Sequence, residues 1–406
     1  MKKQGSYRVL LVHNYYQIPG GEDTVVSNEK RLLEEHGHVA FFYMRSNQEI
    51  HRFSLVRKLL FPFETMFSRK TYRDVKRLIK EERIDLVHVH NTLSMISPSV
   101  YYAAFKCKVP VIQTVHNFRL LCPGAVFVKK DIICEDCVKK GLLCALKGRC
   151  YRNSLPQTLV SALILKIHRV MGTYRKIYYI CLTEFNKKKL LQLNNCGKQL
   201  IEADHIFIKP NFVRAERECV PISRRKNQFL YVGRLDALKG IQVLLEAWKG
   251  IDDSRLLICG TGPRRAWADD FLKQNNINNV QLLGQLSHEQ VMGLLQESRA
   301  LLMPTQWYEG QPMVILESYS VGTPVIGSRL GNVQDMIEEG ITGCTFSHDK
   351  PEELHRLLQN LPDFEEGVIR RHFEEHYASE ENYQRLMWIY HQAIEDVRNG
   401  KSSHHH

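Results

Sequence analysis

The stretch RVLLVHNYYQIPGGED, residues 8–23, decides the fold. Four consecutive apolar residues, Val9 to Val12, make a buried strand. The run is too short for the apolar core of a signal peptide or for a membrane-spanning helix. A loop with the Gly20–Gly21 turn follows, and a helical apolar pattern runs from about Thr24 to His36. Strand, glycine loop and helix form the opening unit of a parallel, doubly wound sheet. The rhythm continues through VAFFYM (39–44), IDLVHVHN (84–91) and VPVIQTVHN (109–117). Such sheets gather ligands at the carboxyl ends of their strands. His13, His90, His116 and Gly20–Gly21 all fall at such ends.

The rhythm restarts near residue 228. QFLYVGRL, RLLICGTGP, VQLLGQL, ALLMPT, TPVIGS and TGCTFS read as a second set of strands, with helical patterns among them. The expectation is therefore α/β, with two Rossmann-like domains whose parallel sheets face a cleft. The first is expected over 1–208, with a cysteine-rich insertion at about 118–152, and the second over 209–380. The polar, proline-bearing segment 208–227 reads as the linker. A final amphipathic helix, 381–400, is expected to pack back on the first domain, and 401–406 reads as the remnant of a purification tag.

The chain has 406 residues and an apolar fraction of 44%, as in soluble globular proteins. No run approaches the roughly 18 apolar residues of a spanning helix. The expected location is cytoplasmic, with peripheral attachment to the inner face of the membrane. The net charge of +12 is unevenly spread. Residues 1–200 hold 34 Lys and Arg against 15 Asp and Glu, while the remainder is mildly acidic. A basic half suits an anionic partner: nucleic acid, phosphates or an anionic lipid surface. The stretch 51–83 mixes Phe, Leu and Met with Arg and Lys, which suits a membrane interface.

In YEGQPMVILESYSVGTPVIGS (308–328), Glu309 and Glu317 stand eight residues apart. A helix beginning near Pro312 would offer the amides of Gln311, Met313 and Val314 to an anion or a hydroxyl. The two carboxylates would sit at different depths along it and grip different parts of one polyhydroxylated ligand. VGRLDALKG places Arg234 after a strand and Lys239 at a helix start, a pairing suited to phosphate. GTGP puts Gly260 and Gly262 where a backbone can approach a ligand. The phrase VHN (115–117) ends a strand with an imidazole, His116.

In order, PGGE, HVHN, TVHN, VGRL–KG, GTG, LG, EGQPMVILE and GTPVI resemble the retaining glycosyltransferases often called family four, whose fold is GT-B. The likeness runs over nearly the whole chain. It implies a nucleotide-sugar donor, UDP- or GDP-linked, bound mainly by the second domain. The acceptor would be bound by the first domain and would be a glycan or lipid-linked intermediate of cell-surface polysaccharide synthesis. Carried over by position, Arg234 and Lys239 hold the diphosphate, Glu309 touches the donor sugar and Glu317 takes the ribose hydroxyls. Gln311, Pro312, Met313 and Val314 line the sugar and phosphate. His116 lies beside the transferred sugar, and Gly20 and Gly21 close over the diphosphate. Gly262 belongs to the same donor set. No catalytic metal is implied and no nucleic-acid partner. Two departures are Gln334–Asp335 for the usual Pro-Glu and Pro210–Asn211–Phe212 for the usual Pro-Asn-Gly.

The segment CEDCVKKGLLCALKGRC (134–150), with Cys122 before it, has the CxxC half-site of zinc. A subset of the resembling transferases carries a CP…CxxC…CY pattern. It matches Cys122, Cys134, Cys137 and Cys150, leaves Cys144 out, and implies a closed structural zinc. Six further cysteines, Cys196 among them, are expected as small buried apolar residues. Two other functions use the same facts. A zinc-bearing, basic nucleic-acid-binding protein would have no need of Glu309 or Glu317. A sugar-nucleotide epimerase on the same fold would need no acceptor.

Overall fold

The computed structural model describes residues 6–17, 20–196 and 198–400. Pro19 of the glycine turn, the side chain of Cys196 and the tag reading at 401–406 fall outside them. Contacts divide the chain into two units. One comprises Met1–Ala125, Glu135–Lys209 and Tyr383–His406, the other Val126–Cys134 and Pro210–Asn382.

The first unit is built on six strands: β1 (Arg8–Tyr15), β2 (Val39–Ser46), β3 (Leu86–Val89), β4 (Val111–Val115), β5 (Tyr178–Cys181) and β6 (Ile206–Ile208). All pair in parallel, in the order β2-β1-β3-β4-β5-β6. Val9 to Val12 are fully buried, as expected of a parallel strand covered on both faces. Helix α1 spans Gly21–Glu35 and so starts three residues ahead of the expected Thr24. The reason is local: extended Gly20 serves as its N-cap, and its N–H donates to the Asp23 carboxylate at 3.0 Å. Glu22 and Asp23 thus stand in the first turn, where the helix dipole favours negative charge.

The basic stretch forms two helices, α2 (Leu55–Met66) and α3 (Arg69–Glu81). Helix α3 buries Thr71, Val75 and Ile79, one stripe at a spacing of four. Helix α2 buries only Thr65. Helix α4 (Leu155–Val170) follows the cysteine-rich segment, which contains a small antiparallel hairpin, Val128–Lys129 with Ile132–Ile133.

The second unit carries β7 (Gln228–Val232), β8 (Arg255–Cys259), β9 (Val280–Gly284), β10 (Ala300–Met303), β11 (Val325–Ser328) and β12 (Gly343–Phe346). The parallel order is β9-β8-β7-β10-β11-β12. Successive residues face opposite sides of a strand. Leu230, Leu301 and Val325 therefore pack in one core layer with Tyr319, and Phe229, Leu302 and Ile326 in the other with Trp248. Helix α5 (Met313–Ser320) follows β10. The segment read as a linker belongs to this unit from Pro210 onward: Phe212 is buried, and the Asn211 N–H donates to Gln311 Oε1 at 2.6 Å.

Helix α6 spans Ser379–Arg398, and from Tyr383 on it belongs to the first unit. The Tyr383 hydroxyl lies 2.9 Å from His38 Nε2, and the Tyr390 hydroxyl 2.8 Å from His88 Nδ1.

In each sheet the strand order reverses once about its central strands, between β1 and β3 in the first unit and between β7 and β10 in the second. Open α/β sheets hold their ligands at the carboxyl ends flanking such a reversal.

Candidate active site

At the second reversal, β7 leads through Gly233 to Arg234, and β10 leads to the loop holding Glu309. Glu309 is buried, and three donors converge on its Oε1: Lys239 Nζ at 2.8 Å, Trp307 Nε1 at 2.7 Å and the Thr305 hydroxyl at 3.0 Å. Asn332 Nδ2 donates to the Glu309 carbonyl at 2.6 Å, fixing the loop from below. Asp236 holds both cations in place. Its Oδ2 lies 2.5 Å from Arg234 Nε, and its Oδ1 accepts the Lys239 N–H at 2.9 Å. The Arg234 side chain is 63% exposed, open to an anion arriving from solvent.

Helix α5 starts at Met313 after Pro312, so the Met313 and Val314 amides are the first two of the helix and have no partner within it. Glu317 lies more than one turn in. Burial raises the pKa of its carboxyl, opposed by His288, whose Nδ1 is 3.6 Å from Oε1. Glu309 thus precedes the helix and Glu317 lies within it.

The glycines divide. Gly260 and Gly262 are pressed against their own chain: a Cβ there would lie 1.9 Å from the Gly233 carbonyl and 2.4 Å from that of Leu235. Their need for glycine comes from internal packing of the β7 loop. A Cβ on Gly20 would meet nothing within 4 Å, so the fold itself does not require glycine there.

At the first reversal, His90 and His116 follow β3 and β4 directly, and their rings stack with centroids 5.3 Å apart. His90 Nδ1 is 3.0 Å from His116 Nε2, and His90 Nε2 is 3.1 Å from Glu29 Oε2. Lys209 Nζ lies 2.8 Å from Glu29 Oε1, with both side chains buried. Burial pushes the Glu29 carboxyl up, but Lys209, His88 and His90 outweigh it, and its pKa lies well below the usual range. Burial, with His90 adding to it, holds His116 well below the ordinary histidine value.

Glu29, His88 and His90 are, among the described residues, the set of three whose ligand atoms lie within 4.8 Å of one another. Both ring nitrogens of His88 are already engaged. His88 Nε2 lies 2.8 Å from Thr114 Oγ1, His88 Nδ1 meets Tyr390, and Lys209 supplies the positive charge a metal would bring. The cluster is a buried ion-pair network.

Four residues here escaped the sequence reading. Asp23 Oδ1 lies 2.7 Å from His13 Nε2. Asn91 Nδ2 donates to the Asn14 carbonyl at 2.8 Å. Glu22, by Arg119 and Tyr16, is pushed up to a pKa of about 7 by burial, with Arg119 opposing. The Arg119 Nη2 lies 3.3 Å from the Tyr16 hydroxyl, while its Nε and Nη1 are buried without a hydrogen-bond partner. The one sequence signal was two acids directly after a glycine pair.

In the cysteine segment, Cys122 and Cys137 are buried, and Cys134, Cys144 and Cys150 are half-buried. A Cβ on Gly124 would lie 2.9 Å from the Cys150 carbonyl, so the Cys122 loop abuts Cys150. No three of these thiols approach one another within 4.8 Å among the described residues.

Two doubly wound units, each with a parallel sheet and polar residues at its strand reversal, make the GT-B fold. Solved structures share the fold. The glycosyltransferase from Rickettsia africae is 15% identical, with TM-score 0.68, covering 97% of this chain and 100% of that one. Anabaena HepE in complex with UDP is 14% identical, with TM-score 0.65, covering 95% and 100%. Residues 213–372 match the family described as Glycosyl transferases group 1, and residues 19–133 that described as Glycosyltransferase Family 4. The chain belongs to this glycosyltransferase family and is a transferase enzyme. Among curated relatives is the alpha-monoglucosyldiacylglycerol synthase of Streptococcus pneumoniae, 22% identical over 391 residues, which span 92% of this chain and 82% of that protein.

Proposed function

We propose that the protein moves a sugar from a nucleotide-sugar donor, held by the second unit, to a lipid-linked or glycan acceptor held by the first, with retention at the anomeric carbon. The observation that carries this is the convergence of Lys239, Trp307 and Thr305 on one oxygen of buried Glu309, beside the first turn of α5. The donor's UDP or GDP diphosphate displaces Lys239 from Glu309 and is gripped by Lys239 and Arg234, with the amides at Gln311–Val314. Glu309 then faces the sugar hydroxyls and Glu317 the ribose. The bond between sugar and diphosphate breaks, and negative charge develops on the leaving oxygen. Well-placed cationic and amide donors stabilise such charge by about 3 kcal/mol each. The leaving oxygen takes the proton of the attacking acceptor hydroxyl, and the new glycosidic bond forms on the same face. Gly20, unencumbered by its own chain, is assigned to the diphosphate and His116 to the reacting sugar. HepE is solved with UDP, and the Streptococcus pneumoniae relative is named for a glucosylated diacylglycerol; both favour this reading. The family matches are to transferases, and neither the nucleic-acid nor the epimerase alternative gains from them.

A thermal-shift series with UDP-, GDP- and ADP-sugars tests the donor, since a bound ligand raises the melting point by mass action. Lys239→Ala is expected to cut turnover on the order of a hundredfold. Glu317→Ala is expected chiefly to weaken nucleotide binding. Full turnover in the lysine variant sinks the assignment. Attachment to an anionic membrane belongs to the same proposal; among the described residues no helix is long and apolar enough to cross one. Co-sedimentation should require anionic vesicles and weaken with salt, because screening lengths fall to about 8 Å at physiological strength.

A further inference from the structure

The first unit contains a groove of about 310 Å³ between α2 and α4. Phe61, Pro62 and Thr65 of α2 line one wall and Val160 and Ile164 of α4 the other, with Lys58 and Arg152 also on its lining. A smaller cavity of about 40 Å³ lies at the β3 and β4 ends, against His90, His116 and Arg119. Leu93, Ser161 and Ile164 line both spaces, so the groove and the inner cavity adjoin across a shared wall.

Two further observations say what enters. Arg119 lines the inner cavity, and two of its guanidinium nitrogens, Nε and Nη1, are buried with no hydrogen-bond partner. Buried donors left unmade are costly, and a guanidinium fork matches a phosphate. Both helices also turn apolar residues to solvent. Leu55 is 84% and Leu59 78% exposed on α2, and Leu159, Leu163 and Ile167 are exposed on α4. Exposed apolar side chains in this number mark an interaction surface.

We propose that this groove is the acceptor site for an amphiphile whose apolar chain is joined through a phosphate to the hydroxyl-bearing head. The chain lies between α2 and α4, entering past the exposed apolar residues. The phosphate sits on Arg119, with Lys58 and Arg152 along the way. The head projects to His116 and Glu22. The assignment rests on the transferase reading for the head's fate, but binding of the tail and phosphate does not depend on it.

Calorimetry with decyl phosphate, kept below its micelle concentration, tests the site directly. Wild type should bind decyl phosphate far more tightly than decanol or inorganic phosphate. Val160→Trp, which fills the groove from a half-buried position, should abolish binding. Arg119→Met should weaken decyl phosphate at least tenfold and leave decanol unchanged. Leu59→Glu with Phe63→Glu, both exposed on α2, should reduce association with phosphatidylglycerol vesicles and leave decyl phosphate binding intact. Unchanged binding of decyl phosphate in Val160→Trp or in Arg119→Met overturns the proposal. So does inorganic phosphate binding as tightly as decyl phosphate, which would make this a free-anion site. If decyl phosphate binds as expected but no sugar nucleotide shifts the melting point, the transferase reading falls and the groove stands.

Discussion

Glu22 titrates near pH 7 because burial outweighs the Arg119 beside it. The folded chain therefore holds an extra proton between the ordinary carboxyl value of 4.5 and about 7. The stability this confers is complete below the unfolded value and is lost as pH rises through the folded one. Glu22→Gln should remove that loss, seen as a urea midpoint that rises at pH 8 relative to the midpoint at pH 5. Glu29 is the opposite case, an anion fixed by Lys209. Glu29→Gln takes the anion away from a buried ammonium and should cost about 3–5 kcal/mol in denaturant unfolding. Glu29→Asp, keeping the charge, should recover part of it. Nothing in the sequence points to this pair, because its members are 180 residues apart and meet only once the sheet is built. Arg234, Lys239, Glu309 and His116 were legible for the converse reason. Each lies in the loop that directly follows a strand end, which strand patterns in the local sequence locate.

The loop after β7 shows how an element holds its chemistry. Gly240 has φ +74°, and a Cβ there would lie 1.7 Å from the Pro304 carbonyl. The Lys239 backbone is thereby locked against the end of β10, and the reach from Lys239 to Glu309 is set by the backbone. Gly240→Ala should destabilise the protein by about 2–4 kcal/mol in denaturant unfolding, the strained φ adding to the clash. Helix α1 taught the reverse lesson about legibility. The apolar pattern placed its start at Thr24, but caps are set by backbone and short polar contacts, and Gly20 with Asp23 moved it to Gly21. The cysteine segment has little periodicity to read, and its zinc remains a proposal. Metal analysis of protein purified under reducing conditions should find about one zinc per chain, lost in Cys122→Ser with Cys137→Ser. Metal-free wild type would dismiss it.

For the whole molecule, the first unit stores several neutral imidazoles. Burial lowers the pKa values of His13 and His116, and brings His88 down to about 3 from 6.5. The unfolded chain takes up those protons first, so stability falls as pH drops below 6.5. Glu22 acts against this in the same range, but three histidines outnumber it. The urea midpoint should therefore decline from pH 7 to pH 5, and more steeply in Glu22→Gln; a flat profile would contradict the buried network. The histidine His88 is also where the two ends of the chain meet, since its Nδ1 partner is Tyr390 on α6. This has a consequence for biosynthesis. Chains emerge from the ribosome at about 5–20 residues per second, and domains fold as they appear. The main body of the second unit, Pro210–Asn382, is contiguous and can close as soon as it is made. The first unit, begun earlier, must wait for Tyr383–Arg398 before His38 and His88 gain their partners. The part made first is thus finished last, and in the interval a nascent chain exposes an incomplete basic half to chaperones or to a membrane.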